Sequence, residues 1–232
     1  MHKVILEKGK VAMDRTEKFE EDLELLTSEL TQDLQSKEKD SLNTLKNRLL
    51  MLQKVNIVKI NHSVMELVCA KPLVEKGYNV QVEHQLEPNL TCDLYATKGD
   101  GSHIIEIETG YIPPEHALDP STYLLARIAS KITRYSNHTG KFALGTPPHY
   151  ILPIPEVLLT APRKRTPENF KTVKTLCDLY YKNPPVTLDE VRNARLHSIY
   201  IIDIDNLTAE EIDPETYTKN KPVLANNLTR IL

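Results

Sequence analysis

Residues 91–110 read TCDLYATKGDGSHIIEIETG. Two strand-like runs, 91–97 and 102–108, flank KGDG, a strong turn signal, so the stretch predicts an antiparallel hairpin. Side chains alternate along a strand, which sends Glu106 and Glu108 out on one face. Asp93 lies across the turn, a neighbour of one glutamate or the other within a residue or two of register. Bare carboxylates gathered this way repel, and one would be driven to take a proton. A divalent cation makes such a cluster useful. Mg²⁺ or Mn²⁺ is held by a few carboxylates, with water and substrate phosphate completing the octahedron.

Outward from the hairpin the pattern continues as a meander feeding a crossover. YNVQVEHQL (78–86) predicts a strand before Pro88-Asn89, and a helix is expected from about Ser121 to Asn137, followed by the strand KFALG. A Pro-rich stretch runs to residue 162. Thr166-Pro167-Glu168 opens a helix to Tyr181, and the capping box Thr187–Glu190 opens another. SIYIIDID (198–205) predicts a strand, and a short helix is expected at 208–212. Upstream, the helix of residues 40–58 runs on, or restarts after a kink, through HSVMELVCAKPLVEKG and stops near Gly77. Glu66 is the only charge in its SVMELVCA run, and either faces the same cation or sits exposed on an amphipathic helix.

Residues 16–36 and 40–58 carry leucines at helical spacing: Phe19, Leu23, Leu26, Leu30 and Leu34, then Leu42, Leu45, Leu49 and Leu52. The break at SKEKDS, with Asp40 or Ser41 as cap, predicts a helical hairpin whose narrow stripes suit packing or dimerisation. The expected organisation is an N-terminal hairpin over 1–58 and an α/β domain over 59–232, built on a mixed sheet flanked by helices.

No apolar run among the 232 residues approaches the ~18 needed to span a membrane, and MHKVILEKGK lacks a signal-peptide core. These features point to the cytoplasm (a host's, for a viral protein). Cys69, Cys92 and Cys177 lack paired spacing and read as buried hydrophobes. The net charge of −3 hides a regional asymmetry: residues 121–175 carry nine basic residues against Glu156 and Glu168. That is either a phosphate-binding face or a solvated basic surface. Asp203 and Asp205 repeat the two-apart acid pattern but lack a basic helix behind them, and read as caps and surface charge.

Together, Glu66 on the first helix, Asp93 in TCD and Glu106 in IIEIET resemble the PD-(D/E)XK nuclease superfamily over roughly residues 60–145. The run EIETGY followed by RIASKITRYS is most similar to archaeal and archaeal-virus Holliday-junction-resolvase-like members. The resemblance implies a restriction-endonuclease-like core, with Asp93, Glu106 and Glu66 as metal ligands. It also implies a Mg²⁺- or Mn²⁺-dependent deoxyribonuclease acting on branched DNA, a homodimer with no small-molecule cofactor. One position departs from the family. Glu108 stands where the motif has lysine, which ends catalysis or moves the task elsewhere. Lys131 is the substitute, on a helix where Lys131-Ile-Thr-Arg-Tyr135 resembles the Gln-x-x-x-Tyr element of RecB-like nucleases. Arg127, Arg134, Tyr135 and the Arg163-Lys164-Arg165 cluster would hold flanking phosphates. The alternatives are a nuclease-fold DNA-binding module without cleavage, or an interaction protein working through its hairpin.

Overall fold

The computed structural model describes residues 15–220. Its helices are α1 (Arg15–Leu30), α2 (Ser36–Lys54), α3 (Ile60–Glu75), α4 (Pro120–Tyr135), α5 (Glu156–Leu159), α6 (Pro167–Asp178) and α7 (Leu188–Asn193). Its strands are β1 (Asn79–Glu87), β2 (Leu90–Lys98), β3 (Gly101–Ile107), β4 (Lys141–Thr146), β5 (Ser198–Asp203) and β6 (Thr208–Ile212). They form one six-stranded mixed sheet in sequence order. The β3–β4 and β4–β5 pairs are parallel, the others antiparallel. The fold is α/β, a mixed sheet flanked by helices, consistent with a restriction-endonuclease-like core.

The sheet is buried on both faces, so its central strands are apolar at nearly every position. Ile105, Ile107, Ala143, Tyr200 and Ile202 pack under α3 and the N-terminal hairpin. Ile104, Phe142, Leu144 and Ile199 face the other way, against α4, α6 and α7. Helix α3 lies between the hairpin and the sheet. Met65, Leu67, Val68, Cys69, Ala70, Leu73 and Val74 are all buried, as its all-round apolar sequence requires.

Several sequence expectations are corrected. The turn between the first two helices falls at residues 31–35, before SKEKDS; Gln35 caps α2 through a box with Glu38. SKEKD forms the first turn of α2, where the carboxylate of Glu38 stabilises the positive helix end. Of the two readings for the helix before Gly77, the restart is the one seen: α2 and α3 are separate, with Asn56 in the left-handed region (φ 58°) between them. Residues 208–212 form edge strand β6 against β5, because the turn closed by Asn206 on the Asp203 carboxylate returns the chain. The capping role read for Asp203 is thus seen. The leucines of the hairpin share one core with α3 and the sheet. Of the two readings of the stripes, packing is the one seen: they are buried inside the chain. All three cysteines are buried and free, and among the described residues no helix is long and apolar enough to cross a membrane.

Candidate metal and nucleic-acid site

The site forms where β2 and β3 part. Their backbone pairing ends at Leu94–Ile105. One residue further on, side chains take over the ladder. The Asp93 amide donates to Glu106 Oε1 at 3.0 Å, and the Ile107 amide donates to Asp93 Oδ2 at 2.5 Å. Each acid thereby satisfies a backbone donor that the opened ladder would leave unpaired. Strand β1 deforms at the same level. Glu83, between Val82 (paired with Leu94) and His84 (paired with Cys92), lies across from Asp93 with φ 47°. A glutamate in this region is strained, and such strain concentrates at functional sites. Cys92 and Leu94, two apart on β2, enter opposite cores. Side chains from both faces of the sheet can therefore meet at Asp93.

From one face comes α3. His62 Nε2 lies 3.1 Å from Asp93 Oδ1 and 3.7 Å from Glu66 Oε1. Glu66 is fully buried, and neither carboxyl oxygen has a hydrogen-bond partner among the described residues. From the other face comes α4, whose Lys131 Nζ lies 2.6 Å from Glu108, 3.0 Å from Glu106 and 3.9 Å from Asp93. Lys131 also donates to the Ile107 carbonyl at 3.2 Å. Arg127, one turn earlier, places Nε 2.9 Å from the Glu108 carboxylate.

These distances set the protonation pattern. Burial raises the Asp93 carboxyl, but Lys131 and His62 outweigh it and hold it at about 2. Burial and the Asp93 charge push Glu106 up to about 8 against the opposing pull of Lys131. Glu66 is driven well above the carboxylate range by burial, then by Asp93, Glu83 and Glu106. Burial and Asp93 bring Glu83 to about 7. Burial opposes charge on His62 and on Lys131, yet the surrounding acids raise both. Asp93 is thus the acid held in its charged form, and Glu66 the one pressed toward its neutral form.

The five residues expected at the site, Glu66, Asp93, Glu106, Glu108 and Lys131, come together. Of the expected ligand set Asp93, Glu106 and Glu66, two lie in the group of side chains spaced to hold an ion. The group whose ligand atoms lie within 4.8 Å of one another is His62, Glu66 and Asp93, while Glu106 is held by Lys131 and the Asp93 amide. The orphaned Glu66 carboxyl fits a cation, because a buried acid without a donor lacks only a positive partner. An imidazole beside two carboxylates suits Mn²⁺ better than Mg²⁺, which favours an all-oxygen shell. His62 was missed in the sequence although it sits one turn before Glu66; Glu83 carried no signal there.

The basic residues divide. Arg127, Lys131, Arg134, Tyr123, Tyr135 and Tyr181 line a cavity of about 260 Å³. Arg134 donates to the Pro184 carbonyl and lies over the Tyr181 ring. The Tyr135 hydroxyl donates to the Thr91 carbonyl at 2.8 Å. Arg165 stands apart from its two neighbours in the cluster. It is buried, with its guanidinium donating to the carbonyls of Val157, Thr160, Val191 and Leu158. It fastens the chain before α6 to the end of α7. Arg163 and Lys164 are exposed.

Comparisons with protein-family models, curated proteins and solved structures each return no match. The functional reading therefore stands on the residues.

Proposed function

We propose that this chain is a divalent-metal-dependent deoxyribonuclease of the PD-(D/E)XK type, with Mn²⁺ favoured over Mg²⁺. The observation that carries the reading is Asp93, approached by His62 on one oxygen and by Lys131 on the other side of the opened sheet. His62, Glu66 and Asp93 would hold the ion. Bound there, it would polarise a phosphoryl oxygen and lower the pKa of a water. Lys131 takes the place of the motif lysine from α4. It binds Glu106 and Glu108 and offers its charge to a phosphate entering beside it. Glu108 holds Lys131 and Arg127 in place, which turns the departure from the motif into a positioning role. The tyrosine- and arginine-lined cavity next to Lys131 would receive the strand, through phosphate contacts and ring stacking that tolerate any sequence.

A second reading, a DNA-binding module without cleavage, draws on the engagement of both Lys131 and Arg127 by Glu108. Incubation of labelled duplex, single-stranded and four-way-junction DNA with protein and Mn²⁺ separates the two. Cleavage lost by about 10²–10³ in Asp93→Asn and Glu106→Gln is the expected result; shifted but intact DNA favours the binding module. Sedimentation of the protein with and without junction DNA tests the homodimer that two-strand cleavage would use.

A further inference from the structure

A second cavity lies where the segment before α6 meets the end of α7. It has a volume of about 540 Å³ and is lined by Arg163, Arg165, Arg192 and Arg195, with Phe170 and Asn193 completing the wall. Among the described residues no carboxylate lines it. Arg165 is 7 % exposed, and its partners are all neutral carbonyls. Nε donates to Val157 and Thr160 at 2.9 Å, Nη1 to Val191 at 2.9 Å and Nη2 to Leu158 at 3.2 Å. These dipoles fix the plane of the guanidinium without cancelling its charge. Arg163, Arg192 and Arg195 are exposed, and none of the four side chains forms a salt bridge to a described residue. Arg195 is fixed at its backbone by Ser136, whose hydroxyl accepts from the Arg195 amide at 3.1 Å.

We propose that this cavity binds the phosphoryl group of a phosphate ester. Buried positive charge without a counter-ion is unfavourable, and here a like charge is set beside it. Burial and the neighbouring Arg195 lower the Arg165 pKa to about 10, the direction that an anion in the cavity would reverse. Guanidinium groups match phosphate oxygens with paired, charge-assisted hydrogen bonds. The rigid Arg165 supplies a fixed positive wall, and the three exposed arginines supply further donors. The volume exceeds what a lone phosphate fills and lies in the range of small-ligand sites. The phosphoryl group therefore belongs to a nucleic-acid strand or to a nucleotide. The inference does not depend on cleavage at the acid cluster.

Calorimetric titration of the full chain with pyrophosphate, at constant ionic strength, tests it. One site per chain is expected, weakened roughly tenfold or more in Arg192→Ala/Arg195→Ala and unchanged in Lys18→Ala, exposed on α1 and outside the lining. Circular dichroism of the double variant establishes that it folds. Displacement of pyrophosphate by a short single-stranded oligonucleotide assigns the site to a strand phosphate; displacement by a nucleoside triphosphate alone assigns it to a nucleotide. Absence of binding overturns the proposal, as does equal affinity in the double variant, which would mean diffuse surface attraction only.

Discussion

The acid cluster at the parting of β2 and β3 and the arginine cavity near α6 and α7 both gather like charges, and they neutralise them differently. Around Asp93, five carboxyl groups share Lys131, Arg127, His62 and bound protons. Around Arg165, carbonyl dipoles orient one guanidinium, and among the described residues no carboxylate pairs with the others. The first region supplies most of its own counter-charge from neighbouring side chains. The second presents a rigid wall of one sign. The comparison teaches that the same fold can settle like charges with opposite side chains in one place and with neutral dipoles in another.

The largest effect that would sharpen this contrast is expected from Lys131→Ala. Removing the ammonium leaves Glu106 and Glu108 facing each other without it. Chemical denaturation at pH 8 should show a loss of about 3–5 kcal/mol, as for a broken buried ion pair. The loss should shrink at pH 5, where protons take over. A variant as stable as the parent at pH 8 would break the account of shared charge.

Arg165→Met comes next. It strips donors from four carbonyls and should cost about 2–4 kcal/mol. Arg165→Lys should not restore it, since a compact ammonium cannot span the same fork. Full rescue by lysine would reduce Arg165 to a simple point charge.

The pH dependence of the metal-free protein should be smaller and opposite to the common pattern. Glu106 is held at about 8 against an ordinary 4.5, so the native state keeps a proton that the unfolded chain has released. Its effect on stability is absent below the ordinary value and becomes progressively unfavourable as pH rises to about 8. Glu83, at about 7, acts in the same direction. Melting temperature should fall by several degrees between pH 5 and pH 8. Saturating Mn²⁺ should flatten or reverse the trend by displacing protons. A melting temperature that climbs with pH in metal-free buffer would show that these acids are ionised and otherwise compensated. Asp93 acts at the other end. It is held at about 2 rather than 3.8, so its contribution is lost as pH falls through that window.

The smallest effect is expected from Arg192→Ala/Arg195→Ala. Both side chains are exposed and lack salt-bridge partners among the described residues, so unfolding free energy should stay within about 0.5 kcal/mol. A large loss would mean that these arginines brace the fold.

Much of the site was legible because local signals agreed. KGDG set the hairpin register, alternation placed Glu106 and Glu108 together, and a four-residue spacing put Arg127 and Lys131 on one face of α4. What escaped depended on tertiary events. His62 reaches Asp93 only because the sheet opens there. Glu83 turns toward the site through a left-handed backbone that no residue type at that position announces. Arg165 looked like its neighbours Arg163 and Lys164, and only the return of the chain after α7 buries it. Residues 208–212 carry acids that suit a helix end, yet the turn at Asp203 commits them to the sheet edge. Local preference yielded to pairing.

The shared core of the hairpin and α3 has a practical consequence. His62 and Glu66 ride on a helix whose outer side is walled by α1 and α2, so the hairpin is the backing that presses two candidate ligands toward the sheet. A shortened chain beginning at Lys59 would lay a greasy helix bare to water. Such a fragment should clump, or lose its grip on metal, although every residue of the acid cluster is still present.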